Sequence, residues 1–367
     1  MTTVRLPEGG PGLAQIKTAV RDQPAYSLAP LTARRKLNQN ENPYDVPPDL
    51  KRLVLERVAA LPWNRYPEFV PAALLELLSQ RYDWPAEGIL VGNGSNELIQ
   101  ATLHTALDAG DRVVAPTPTF SLYRLITGVA GGRYVPVAFG PDFHYAVDAL
   151  VEVAAREQAR VIVLNSPNNP TGSALPEGAV ERILDATDAL VVCDEAYQDF
   201  GGPTAREALA ASSRVVILRT FSKALGMAGL RFGVALAHPS VAREIAKAKL
   251  PYNVNLGTLA AAAVLLEHDG FRRDQIREIV ASRDRAVARL RELRGLTVYP
   301  SAANFFLIRC VAVPAKETFR RLLEEHGILV RDVSATAELA ECLRVSVGTP
   351  EDMEAVVVAL GAIFGGR

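Results

Sequence analysis

The chain has 367 residues, 49% of them hydrophobic and 22% charged, and its 40 Lys+Arg nearly cancel its 41 Asp+Glu to leave a formal net charge of -1. This composition excludes a disordered chain, and the charge balance excludes a general nucleic-acid binder, which relies on a basic field. No apolar run reaches the roughly 18 residues of a membrane span; the best candidate, Leu256 to Leu266, stops at Glu267.

At roughly 100–200 residues per domain, the length predicts two domains. Residues Met1 to Gly12 carry no apolar core of the secretory kind, and breakers such as Pro7, Pro11, Pro24 and Pro30 predict an extended arm over residues 1–45. From Asp49 the apolar spacing becomes helical, and Ala72 to Tyr82 repeats it. Short apolar runs then follow at fairly even intervals: Ile89–Val91, Val113–Ala115, Tyr134–Ala138, Val161–Leu164, Leu190–Cys193, Val215–Leu218 and Val234–Leu236. Helical stretches such as Glu97–Leu107 and Gly178–Ala186 separate several of them. This alternation predicts an α/β unit over residues 46–254, a mainly parallel seven-stranded sheet flanked by helices. Beyond residue 255 a long helical region, Thr258 to Leu293, precedes strand-like runs at Phe305–Ile308, Ile328–Val330 and Leu343–Val347 and a final helix from Pro350 to Phe364. Residues 255–367 therefore read as a smaller α+β domain. Cys193, Cys310 and Cys342 lie far apart in apolar segments, form no metal-ligand spacing, and read as buried thiols of a reducing cytoplasm.

Parallel sheets bind ligands beyond the carboxyl ends of their strands, so the residues after each run carry the functional information. After Val91 comes Gly92-Asn93-Gly94-Ser95-Asn96-Glu97, opening a helix. It is either a glycine turn with an N-cap or a cup of backbone N–H groups for a phosphate. After Ala115, Phe120 is either core or a plate for a planar ligand. After Leu164, Asn165-Ser166-Pro167-Asn168-Asn169-Pro170-Thr171-Gly172 is a stiff turn displaying amides. Asp194, in Cys193-Asp194-Glu195-Ala196-Tyr197, ends a buried strand and needs a cationic partner: an arginine, a metal or a protonated ring nitrogen. After Leu218, Thr220-Phe221-Ser222-Lys223 precedes Arg231 by eight residues, and only seven of the 40 basic residues are lysines. A lone lysine usually lies on a solvated face. Thr220, Ser222 and Arg231 around this one make a second phosphate-binding set and leave Lys223 as an amine nucleophile. Two phosphate-gripping segments, an aromatic plate, an acid, a phenol, an amide and an amine together fit pyridoxal 5'-phosphate (PLP), a planar phosphorylated aldehyde with a basic ring nitrogen.

With Lys36-Leu37-Asn38-Gln39-Asn40-Glu41-Asn42-Pro43, Asn64-Arg65-Tyr66-Pro67, Ser166 to Gly172, Asp194 to Tyr197, Phe221 to Ala224 and Arg344-Val345-Ser346-Val347-Gly348-Thr349, the chain resembles the class I/II aminotransferases of PLP fold type I. Within them it is most similar to the histidinol-phosphate aminotransferases. The resemblance implies that Lys223 holds the cofactor covalently and shuttles the proton, that Asp194 keeps the pyridine nitrogen protonated, and that Tyr197 and Asn169 bind the ring hydroxyl. Phe120, where the family more often has Tyr, would stack on the ring; Gly94, Ser95, Asn96, Ser222 and Arg231 would hold the phosphate, with Thr220 nearby. Tyr66 would reach that phosphate from a neighbouring subunit, which implies a homodimer with shared active sites. Tyr26, Asn40, Arg331 and Arg344 would bind the substrate, and the Asn169–Pro170 bond would be cis. The implied reaction is PLP-dependent transfer of an amino group between L-histidinol phosphate and 2-oxoglutarate in histidine biosynthesis, with no nucleic acid, membrane or metal involved. The alternatives on the same scaffold are an aromatic amino-acid aminotransferase and a threonine-phosphate decarboxylase.

Overall fold

The computed structural model describes residues 10–23 and 31–365. Among them the strands are β1 (Arg35–Lys36), β2 (Ile89–Gly92), β3 (Arg112–Thr117), β4 (Arg133–Ala138), β5 (Val161–Asn165), β6 (Leu190–Asp194), β7 (Val215–Thr220) and β8 (Gly233–Ala237). They continue with β9 (Leu296–Val298), β10 (Phe305–Cys310), β11 (Ile328–Leu329), β12 (Arg331–Asp332) and β13 (Cys342–Ser346). Each of the seven apolar runs read from the sequence lies in one of β2 to β8, and these form a single sheet in the order β2-β8-β7-β6-β5-β3-β4. Strand β8 runs antiparallel to both its neighbours, while the other pairs are parallel. Chain length explains the exception. The connections from β2 to β7 each carry a helix, whereas only residues 221–232 join β7 to β8, with no helix between them.

Apolar side chains cover both faces of this sheet. Val114, Ile162, Leu164, Val191 and Ile217 belong to one buried cluster; Val113, Val161, Val163, Val192 and Val216 belong to another. The near-continuous apolar runs are thus the signature of strands buried on both sides, alternate residues serving opposite cores. A third cluster, including Phe305, Phe306, Leu343, Val345 and Leu360, lies around a four-stranded sheet of order β12-β13-β10-β9.

Three expectations change. The helical region beyond Thr258 is two helices, Leu256–Glu267 and Gly270–Leu290. The break falls at His268 and Asp269, where Arg81 and Arg272 each bind the Asp269 carboxylate at 2.6 Å. The run Ile328–Val330 is not one strand: Ile328–Leu329 pairs in parallel with Arg35–Lys36, and Arg331–Asp332 joins the four-stranded sheet beside β13. The arm is not wholly extended, because Gly10–Ala14 and Thr18–Arg21 form helical turns, the second packed on helix Leu122–Ala130. No helix among the described residues is long and apolar enough to cross a membrane.

Candidate active site

The register places the informative loops on one edge of the sheet. Asn165 is paired with Asp194, Asp194 with Leu218, Thr220 with Gly233, and Gly233 with Gly92. The loops at 92–96, 165–169, 194–197 and 220–223 therefore share this edge.

At one end of the edge, Gly94 has φ +79° and leads into helix Ser95–Ala106, whose first backbone N–H groups have no intrahelical acceptors. A Cβ at Gly94 would lie 2.4 Å from Arg231 Nη2, so glycine is needed for both its backbone angle and its missing side chain. Arg231 Nη1 donates to Ser222 Oγ at 3.0 Å, and the backbone N–H of Ser222 donates to Thr220 Oγ1 at 3.1 Å. Gly94, Ser222 and Arg231, distant in sequence, thus form one cradle of N–H and O–H groups beside a helix N-terminus. Ser95 is buried at the helix start and Asn96 is exposed.

In the middle stands Asp194, 3% exposed. Burial pushes its carboxyl up to about 6, against hydrogen bonds donated by Tyr123 Oη at 2.6 Å and Ala196 N–H at 3.1 Å that favour the charged form. No cationic side chain among the described residues pairs with it, so the carboxylate retains the need for a positive partner that its strand-end position predicts. Tyr123 escapes a motif reading. Its signal is a tyrosine inside the apolar helix Leu122–Ala130, three residues after Phe120, whose hydroxyl must find a buried partner. Phe120 is half-buried and meets the edge of Tyr123 with ring centroids 5.7 Å apart.

Lys223 Nζ donates to the carbonyl of Gln39 at 3.0 Å and lies 5.8 Å from the centre of the Tyr197 ring. Burial, then the Arg344 guanidinium, push this amine down to about 7, so much of it is neutral and nucleophilic near neutral pH. Arg344 Nη1 donates to Asn169 Oδ1 at 2.5 Å, and Nη2 donates to the Asn38 carbonyl at 2.8 Å. The Asn169–Pro170 bond is cis. Asn40 Nδ2 donates to Tyr197 Oη at 3.1 Å. Asp194, Tyr197, Lys223, Asn169, Asn40 and Arg344 are therefore brought together. Arg331 sits on β12 directly opposite Arg344 on β13. Among the described residues no carboxylate pairs with Arg331, although Asp332 is its neighbour in sequence. Tyr66 stands apart from this set, 80% exposed, its ring stacked on Tyr252 at 4.6 Å. Tyr26 lies outside the described residues.

The family model for aminotransferase class I and II matches residues 35–360. The chain belongs to the class I and II aminotransferases. It is 36% identical over 360 residues to the histidinol-phosphate aminotransferase of Deinococcus radiodurans, covering 97% of this chain and 99% of that one. It is 38% identical to the histidinol-phosphate aminotransferase of Chlorobaculum tepidum over 89% of this chain and 94% of that one. The crystal structure of histidinol-phosphate aminotransferase from Sinorhizobium meliloti in complex with pyridoxal-5'-phosphate superposes with a TM-score of 0.86 at 24% identity, over 96% of this chain and 98% of that one.

This aminotransferase is a PLP-dependent enzyme, and its residues fit that cofactor. The space a Cβ would fill at Gly94 is left to the Arg231 cradle, a buried carboxylate without a cation stands at Asp194, and an amine of depressed pKa stands at Lys223. A phosphate, a ring cation and an aldehyde are the groups these three demand.

Proposed function

We propose that the enzyme transfers the amino group of L-histidinol phosphate to 2-oxoglutarate, giving imidazole-acetol phosphate and glutamate, as a step of histidine biosynthesis. PLP, when bound, supplies the electron sink that lets the substrate Cα lose a proton. Lys223 would hold the cofactor covalently, and its amine would carry the proton that leaves the substrate Cα. Asp194, with Tyr123 behind it, keeps a proton on the ring nitrogen. Tyr197 and Asn169 orient the ring hydroxyl, Phe120 covers one face, and Gly94, Ser95, Asn96, Thr220, Ser222 and Arg231 hold the cofactor phosphate.

The observation that carries the substrate is the pair of arginines. Arg331 and Arg344 are cross-strand partners, so their side chains leave the same face of the sheet. Like charges directly opposite are destabilising unless an anion lies between them, and a phosphate ester suits two guanidinium forks better than one carboxylate does. Histidinol phosphate has a phosphate ester and no carboxylate; Asn40 and Tyr26 complete its site in this reading. The test is a rate comparison with 2-oxoglutarate as acceptor. The expected result is faster transamination of histidinol phosphate than of phenylalanine or tyrosine, without carbon dioxide release. A faster aromatic rate makes the enzyme an aromatic aminotransferase, and carbon dioxide from threonine phosphate makes it a decarboxylase. Arg331→Ala is expected to raise KM for histidinol phosphate by about 10–100-fold, the worth of one hydrogen-bonded charge.

We also read the enzyme as a homodimer in which Tyr66 serves the neighbouring site. The support is an apolar surface formed by Trp63, Tyr66, Phe69 and Tyr252, the first three more than 65% exposed. The division into an arm (1–45), a large PLP-binding domain (46–254) and a small domain (255–367) is supported by the separate core around the four-stranded sheet and by the β1–β11 pairing. Three buried free cysteines support a reducing, cytoplasmic setting.

A further inference from the structure

Asn168 lies in the stiff turn Asn165 to Gly172, immediately before Asn169, and the reaction assigns it no task. It is 0% exposed, and both polar atoms of its carboxamide are bonded. Oδ1 accepts from Thr119 Oγ1 at 2.6 Å, while Nδ2 donates to the Pro118 carbonyl at 3.0 Å and to Thr171 Oγ1 at 2.9 Å. Its backbone is held inside the turn, its N–H donating to the Ser173 carbonyl at 2.8 Å and its carbonyl accepting the Gly172 N–H at 2.7 Å. The next residue is fixed to the sheet. The Asn169 N–H donates to Asn165 Oδ1 at 2.8 Å, and Asn165 Nδ2 donates to the Asp194 carbonyl at 3.1 Å. On the other side, Pro118 and Thr119 directly precede Phe120.

We propose that Asn168 is a positioning residue that fixes the Phe120 ring relative to the Asn169 amide, by tying the loop that carries one to the loop that carries the other. The Pro118 carbonyl can only accept, so the NH₂ end of the carboxamide must face it. Oδ1 is then turned to Thr119, whose hydroxyl supplies a proton, and one side chain grips two successive residues of the Phe120 loop. These contacts span 49 and 50 positions in sequence, so neither follows from local spacing. Thr119 and Phe120 lie beyond the last residue of β3, Thr117, where the sheet ladder no longer holds the chain. A ring laid on another loses roughly a quarter to a half of its attraction over a gap of about 0.5–1 Å, so the height of the plate has to be held. A buried carboxamide with all its partners in place is rigid enough to hold it.

The inference rests on the reading that Phe120 covers one face of the ring of bound PLP. Free PLP is achiral, so the visible circular dichroism of the holoenzyme reads only cofactor held at a fixed angle by the chain, and its decay after dilution reads cofactor loss. The experiment measures both on purified holoenzyme. Phe120→Ala is expected to speed PLP loss by about 10-fold, the upper worth of one ring contact. Asn168→Ala is expected to weaken the visible signal per bound PLP and to speed PLP loss by at least about threefold, without exceeding Phe120→Ala, because it acts through that ring. Thr119→Val removes the hydroxyl from the other side of the same hydrogen bond, keeps the side-chain shape, and is expected to act in the same direction. In a Phe120→Ala background Asn168→Ala should add less than about twofold, because the ring it positions is gone. A residue that only supports the fold would add the same factor in both backgrounds. Should Asn168→Ala fail to fold, Thr119→Val takes its place in each comparison. An unchanged signal and loss rate in either folded variant, or an undiminished effect in the Phe120→Ala background, overturns the proposal. Loss of PLP from Phe120→Ala at the wild-type rate overturns the underlying reading instead.

Discussion

Lys223 and Asp194 are displaced from their ordinary protonation in opposite senses by one cause, burial, and each displacement yields a test. The Lys223 amine falls from its ordinary 10.5 to about 7, so its reactive neutral form accumulates as pH rises through 7. Attachment of PLP to cofactor-free protein should therefore accelerate up to about pH 7 and level off above it, followed by stopped-flow absorbance. Arg344→Ala removes a cation that disfavours the charged amine and should move that inflection upward. Levelling only near pH 10 would contradict the buried amine. Asp194 rises from 3.8 to about 6 because burial outweighs the hydrogen bonds from Tyr123 and Ala196. Asp194→Ala should retain part of its cofactor and lose about 10²–10⁴-fold in kcat, the range for a positioned proton-holding group. Tyr123→Phe should lose less, about 10–100-fold, because it removes one hydrogen bond to the carboxylate and leaves the charge. Steady-state rates at saturating PLP separate the two.

The sheet and its loops explain why those residues meet. Parallel strands end together, so β5, β6 and β7 deliver Asn165, Asp194 and Thr220 to one line without any long-range instruction in the loops. Antiparallel β8 brings its first residue, Gly233, to the same line and Arg231 just before it. The turn at Gly94 then meets Arg231 closely enough that a methyl group cannot fit between them. Gly94→Ala should weaken PLP binding and lower the melting temperature, the positive φ alone costing about 1–2 kcal/mol. Gly110→Ala is the control: its φ is +89° and a Cβ there meets nothing within 4 Å, so it should cost stability and spare PLP affinity. Equal loss of PLP affinity in both variants would refute the cradle.

For the whole molecule the decisive matter is whether one chain makes a site alone. Lys223 is held inside the chain, its amine on the Gln39 carbonyl, while Tyr66 lies on an exposed apolar surface, and the proposed homodimer would reconcile the two. Lys223→Ala and Tyr66→Ala should each be impaired, and refolding them together should recover activity, because a mixed dimer contains one site with both residues intact. No recovery on mixing would place Tyr66 outside the partner's site. The arm belongs to this scale as well, since Arg35–Lys36 pairs in parallel with Ile328–Leu329 almost three hundred residues away.

The amino-acid sequence by itself determined the seven strands of the main sheet, the loops that follow them, the amine at Lys223, the acid at Asp194 and the cofactor they demand. These are local matters: strands buried on both faces write continuous apolar runs, and a polar residue at the end of such a run is costly without a task. The two-residue strands β1 and β12 were not legible, nor was the end of β11 at Leu329, because so short a segment has no period and takes its conformation from its partner. Nor were Tyr123 behind Asp194, the opposition of Arg331 and Arg344, or the hold of Asn168 on Thr119. Each is a contact between segments that chain connectivity does not relate. Only folding, by burying those groups where water cannot satisfy them, decided which partner each would have.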